Sequence, residues 1–184
     1  MSKRSKLEII DEILNNKFKD FSRKLIEENT DTKQKRFKME RKIFSKNINY
    51  SLYRYDPSNT EIFPYFTDKK GLKKICDYIM FIEDNKFLHV LLIELKKGKD
   101  SAKMQLEASK VFAEYIIKTI KRLKYDFDIE NENIHYKLVV IKESKSKKKP
   151  INKKLETNNG IITHNNYKNF MINDYLDFTK IESR

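Results

Sequence analysis

Residues 87–97 read FLHVLLIELKK, and both alternating sets of positions in this run are apolar: Leu88, Val90 and Leu92 on one side, Leu91, Ile93 and Leu95 on the other. A strand with two apolar faces belongs in the middle of a sheet covered on both sides. A second apolar run, at 78–82, precedes it across EDNK, which suits a tight hairpin with Asp84 and Asn85 at the tip. Beyond the break at Gly98, residues 101–123 repeat apolar positions at helical spacing, namely Ala108, Val111, Phe112, Tyr115, Ile116, Ile120 and Leu123. IHYKLVVIK, residues 134–142, then returns as a short strand. Hairpin, helix, strand in that order requires a crossover, which lays the last strand parallel to the one ending at Lys96, with a right-handed connection.

Upstream, Leu7, Ile10, Ile13, Leu14, Phe18, Phe21 and Leu25 recur at three- and four-residue steps and predict one amphipathic helix over residues 6–28. The basic segment 30–47, TDTKQKRFKMERKIFSKN, fits a second helix or an extension of the first. Residues 48–66 turn to aromatic and β-branched types, one or two strands broken by a turn at DPSN. The C-terminal stretch 160–178 regains apolar residues, as expected of a short strand and a helix or turn packed back onto the domain. Together these elements describe an α/β domain, a central mixed β-sheet flanked by helices, with a helix at the N-terminus.

A chain of 184 residues suits one domain, 1–184, with a real core. Forty Lys and Arg against 27 Asp and Glu leave a net charge of +13, which favours an acidic partner, nucleic acid being the commonest. Residues 142–154 concentrate seven lysines in a solvated loop that would contact phosphates if it lay beside a nucleic-acid site. The single cysteine, Cys76, excludes an intramolecular disulfide and a four-cysteine zinc site and reads as core. No apolar run reaches the length of a signal peptide or membrane span, so the expectation is a soluble, cytoplasmic protein with no membrane partner. His89, His135 and His164 lack the spacing of a helical two-histidine metal site and read as surface or packing residues.

Chemistry enters at the end of the central strand, where Glu94 and Lys96 interrupt the apolar pattern. An acid, any residue, then lysine also occurs at 31, 40, 68, 84 and 143, but only at 94 does it terminate a strand with two buried faces, where unpaired charge is costly. With Asp84 and Asn85 as the hairpin tip, Asp77 faces Leu92, and Asp77, Glu94 and Lys96 share one side of the sheet. The two acids then lie diagonally at about 7–8 Å, near enough to share an ion. Two carboxylates suit Mg²⁺ or Mn²⁺, with the Leu95 carbonyl as a further oxygen ligand. A neighbouring lysine can position or deprotonate a metal-bound water and stabilise charge developing on a phosphodiester. Tyr50, Tyr53 and Tyr55, interleaved with Arg54, form a pattern that stacks bases or packs within a strand.

CDY at 76–78, IELKK at 93–97 and the helix opening SAKMQLEAS resemble the PD-(D/E)xK nuclease superfamily, which includes restriction endonucleases, Holliday-junction resolvases and phage-defence nucleases. The resemblance implies a restriction-endonuclease-like core in which Asp77 and Glu94 ligate the metal, Lys96 is the catalytic lysine, and Gln105 contacts the site or the substrate. It implies hydrolysis of nucleic acid, DNA rather than RNA, in antiviral defence, restriction, repair or recombination, with a two-fold homodimer for cutting both strands. Many members add a glutamate from the first helix, for which Glu27, Glu28 and Glu40 are all candidates. Two positions depart from the pattern: Cys76 replaces the proline before the aspartate, and Ser109 stands where some branches carry a tyrosine four residues after the glutamine. The alternatives are a non-catalytic nucleic-acid-binding or assembly subunit that keeps the fold, and an effector silent until a partner assembles its site.

Overall fold

The computed structural model describes residues 4–29, 37–55, 63–67, 69, 72–97, 101–123, 127–143, 155–165 and 169–176. In chain order its elements are α1 (Lys6–Ile13), β1 (Lys24–Asn29), β2 (Phe37–Phe44), β3 (Asn49–Arg54), β4 (Tyr78–Asp84), β5 (Phe87–Lys97), α2 (Lys103–Arg122), β6 (Ile134–Glu143), β7 (Glu156–Asn158), β8 (Ile161–Asn165), β9 (Asn169–Met171) and α3 (Ile172–Leu176). The DPSN turn and residues 144–154 of the lysine-rich stretch lie outside the described residues, while Lys142 and Glu143 end β6.

The helix expected over 6–28 is only its first two turns. Ser5 and Glu8 form a capping box, each side chain accepting the other's backbone N–H, at 3.1 and 3.0 Å. The helix ends because Leu14 is extended and Asn15 opens a separate 3-10 turn, its side chain accepting the Lys17 N–H at 3.0 Å. Arg23, at φ 55°, then redirects the chain into β1. Phe18, Phe21 and Leu25 therefore do not share a helical face: Phe21 is exposed and Leu25 is buried in a sheet. Residues 37–44 likewise form β2 rather than a second helix. Met39, Arg41 and Ile43 are buried in alternation with outward neighbours, a two-residue period that Arg41 disguises in the sequence.

The main sheet runs β3-β4-β5-β6-β8-β7, with β4 antiparallel to both its neighbours and β6 parallel to both β5 and β8. The expected hairpin, crossover helix and parallel strand are all present. Every residue of β5 from Leu88 to Leu95 is buried. On one face Leu88, Val90 and Leu92 join a core with Ile9 and Ile10 of α1 and Leu106, Ala113, Ile116, Ile117 and Ile120 of α2. Val111 and Tyr115, expected by spacing to belong to the apolar face of α2, point to solvent.

The other face is covered by an unexpected second sheet, β1-β2-β9, and by α3, through Leu25, Met39, Phe170, Ile172 and Tyr175 packed against Leu91, Ile93 and Leu95. Helices α1 and α2 thus flank the main sheet on one side, and a three-stranded sheet with α3 flanks it on the other. Tyr53 and Tyr55 are buried in the helical-side core, where Tyr55 meets Phe18 and Phe112, so this aromatic alternation is packing. No helix among the described residues is long and apolar enough to cross a membrane.

Candidate active site at the end of the central strand

The hairpin tip is Asn85–Lys86, one residue later than expected, with Asn85 at φ 51°, a conformation asparagine tolerates. Asp84 therefore pairs with Phe87, and Tyr78 with Ile93. Moving a two-residue tip by one position shifts the pairing by two, so side-chain parity is preserved. Asp77 comes level with Glu94 instead of Leu92, and the two acids meet side by side rather than diagonally.

Here the ladder passes from backbone to side chains. The Asp77 N–H donates to Glu94 Oε2 at 3.2 Å, and the Leu95 N–H donates to Asp77 Oδ2 at 2.7 Å. The Asp77 carbonyl accepts the Tyr55 N–H at 3.0 Å, tying the residue to β3 as well. Lys96 completes the cluster, its Nζ 2.5 Å from Glu94 Oε1. The structure thus brings Asp77, Glu94 and Lys96 together, with Leu95 between the last two.

Glu94 is 1% exposed, so its charge has little access to water. The ammonium of Lys96 and the Asp77 N–H compensate it. Burial alone would lower the Lys96 pKa, but the hydrogen bond and charge of Glu94, with the charges of Asp77 and Glu27, outweigh it and hold the value above normal. At neutral pH the group is an ammonium.

Glu27 arrives on a strand, not a helix, and its charge is the smallest of those that raise the Lys96 pKa. Along β1 it has the same parity as the buried Leu25, so it faces the main sheet. Glu28 and Glu40 instead form ion pairs with Lys38 at 2.6 Å and Lys24 at 3.0 Å. Gln105 lies half-buried in the first turn of α2, and the contact seen there is made by its carbonyl.

Ser109 has a part that its sequence position did not announce. Fully buried, its hydroxyl donates to the Gln105 carbonyl at 2.6 Å and accepts the Cys76 N–H at 2.7 Å, linking α2 to the residue before Asp77. The signal was available: a serine among Leu106, Ala113, Ile116 and Ile120 on a buried helix face needs a partner. Burial pushes the Cys76 thiol up to about 12, with Glu94 and Asp77 adding to the rise against the Ser109 hydrogen bond, which makes it inert core.

The histidines lie apart from this cluster. His89 and His135 pair across β5 and β6 with stacked rings 5.3 Å apart, and His164 meets the Tyr175 hydroxyl between the sheets. His89 and His164 are buried packing residues, not surface ones. Two clefts, of about 570 and 870 Å³, both lined by Asn49, lie at the end of β3 away from Asp77.

As a metal centre the cluster is lean. Among the described residues no group of three or more His, Cys, Asp and Glu side chains is placed to hold an ion. The donor set is nevertheless of one chemical kind: two carboxylates and the Leu95 carbonyl are hard oxygens, which fit Mg²⁺ or Mn²⁺ with waters filling the remaining positions. No protein-family model, curated protein or solved structure matches the chain.

Proposed function

We propose that the chain is a Mg²⁺- or Mn²⁺-dependent nuclease that hydrolyses phosphodiester bonds, in DNA rather than RNA, and serves cytoplasmic defence, restriction, repair or recombination. The observation that carries this reading is the convergence of Asp77, Glu94 and Lys96 at the end of the buried strand β5. The order α1, antiparallel β3-β4-β5, α2 and parallel β6 supports a restriction-endonuclease-like core.

In this reading Asp77, Glu94 and the Leu95 carbonyl would hold the ion. The bound ion would supply Lewis-acid charge to the phosphodiester and lower the pKa of an attacking water. Lys96, an ammonium held beside Glu94, places positive charge where the phosphate oxygens gain negative charge. The net charge of +13 attracts the polyanion, and a two-fold dimer would match the symmetry of a duplex.

The test is incubation of purified protein with plasmid, linear duplex, single-stranded DNA and RNA, with and without Mg²⁺ or Mn²⁺. Cleavage should require the ion, and Glu94→Ala/Lys96→Ala should lower it about a thousandfold or more while leaving binding largely intact. Cleavage that survives both substitutions or excess chelator overturns the mechanism. One observation favours the non-catalytic reading: the two carboxylates and Lys96 already satisfy one another and nearby backbone N–H groups. That reading expects salt-sensitive nucleic-acid binding and no turnover with any divalent ion.

A further inference from the structure

We propose that the outward face of α2 is the seam of a two-fold homodimer, where Met104, Ala108, Val111 and Tyr115 meet the same residues of a second copy of this chain. The surface stands on its own geometry; its consequence for cutting a duplex rests on the nuclease reading.

α2 is apolar on two faces. Leu106, Ala113, Ile116, Ile117 and Ile120 turn into the core over the main sheet. On the opposite side Met104, Ala108, Val111 and Tyr115 follow at steps of four, three and four residues, the spacing of a helix–helix seam. All four are exposed, Met104 to 81%, Val111 to 68% and Tyr115 to 66%. Scattered exposed apolar residues are ordinary, but a contiguous stripe along one helix marks a surface that docks. The stripe widens on one flank, where Phe112 packs on Phe63 at 5.3 Å and Phe63 lies against the exposed Tyr65 and Phe66. One helix is narrow against the roughly 800 Å² per partner of a stable interface, and these two rings add apolar area beside it.

Charge on the other flank selects the occupant. Glu107 and Lys118 are both exposed there, eleven residues apart and so within about 20° of each other around the helix. Lys103, 3.7 Å from Glu107 on the same helix, forms only an exposed pair that costs little to share. A two-fold axis across the middle of α2 runs the second α2 antiparallel and sets like flank against like flank. Centred between Phe112 and Ala113, that axis brings Glu107 level with the partner's Lys118, and Lys118 level with the partner's Glu107. It also lays Val111 beside the partner's Val111 and the small Ala108 beside the partner's Tyr115. The stripe therefore complements itself in shape and charge, as a contact between identical surfaces must. On the inward face of the same helix the Ser109 hydroxyl accepts the Cys76 N–H, next to Asp77, so the seam and the acids are tied to one element.

Sedimentation equilibrium should show the wild-type chain dimerising as concentration rises. Val111→Glu puts a charge at the axis and should weaken the dimer about a hundredfold, with the helical circular dichroism unchanged because the position is exposed. Glu107→Lys and Lys118→Glu should each weaken it about tenfold by setting like charges together, whereas mixing the two variants should restore a dimer. On plasmid, the wild type should linearise and Val111→Glu should only nick. A wild-type chain still monomeric at about 0.1 mM, a dimer indifferent to Val111→Glu, or no recovery on mixing overturns the seam. Val111→Glu that loses nucleic-acid binding instead of dimerisation assigns the stripe to the substrate and overturns it as well. Linearisation undiminished in a monomeric Val111→Glu overturns the role in duplex cutting. If neither protein cuts, the nuclease reading fails, while the mass measurement still decides the seam.

Discussion

Strand β5 buries two ionisable side chains, Glu94 near its end and His89 near its start, and holds them in opposite states. Glu94 lies against the Lys96 ammonium and the Asp77 N–H, so its charge is compensated where water is nearly absent. His89 is equally buried, yet neither ring nitrogen has a hydrogen-bond partner among the described residues. Burial, then the positive charge of Lys137 and the neighbouring His135, push its pKa down to about 4, so it stays neutral. Burial thus does not by itself decide whether a strand residue carries charge; the groups facing it do. Of the two, only Glu94 retains a charge.

The sharpest way to break this contrast is to remove the compensation. Lys96→Met strands the Glu94 carboxylate and should lower stability to urea by about 3 kcal/mol, whereas Glu94→Leu/Lys96→Met should recover most of the loss. The reverse single change should be milder, because the Lys96 side chain is 20% exposed and its ammonium can turn to water. Equal losses from the two single changes would show that Glu94 is not the dependent partner.

Next in size is Ser109→Ala, which leaves the Cys76 N–H buried without its acceptor and should cost about 1–2 kcal/mol. If cleavage falls further than this loss of stability explains, the hydroxyl also sets the position of Asp77.

The smallest effect belongs to His89. Its folded pKa lies below the unfolded value near 6.5, so its contribution to stability is complete above pH 6.5 and is lost as pH falls toward 4, where the folded state also takes up the proton. His164, likewise pushed down to about 4 by burial and then Arg41, adds to the same acid loss, as does His135. Urea midpoints at pH 7.5 and pH 5 should therefore differ, with the lower value in acid. His89→Phe should narrow that difference without closing it, and at pH 7.5 should stay within about 1 kcal/mol of wild type. An undiminished acid loss would contradict the neutral state assigned to His89.

The two ends of β5 also differ in how much the sequence disclosed. Two apolar parities ending in Glu94 and Lys96 are a local pattern, and the crossover that follows restricts the topology strongly. That is why the central strand, α2 and β6 were legible. Asp77 was placed on the correct face despite a misplaced hairpin tip, because the slip was even in residues.

The second sheet was hidden for physical reasons. Arg41 interrupts the alternation of β2, and the helical spacing of Leu14, Phe18, Phe21 and Leu25 competes with strand pairing that only tertiary contact with β2 rewards. The place of Glu27 was not legible in the sequence because it depends on that sheet. Ser109 was legible as a serine on an apolar helix face, but its partner was not, since Cys76 lies on another element.

The Asn85–Lys86 tip bears on how this hairpin can vary in length. A residue added at the tip itself leaves the two arms in step. A single residue added within either arm, between the tip and the acids, would rotate one carboxylate to the far side and dismantle the cluster. Insertions should therefore be tolerated singly at the bend, but only in pairs along the arms.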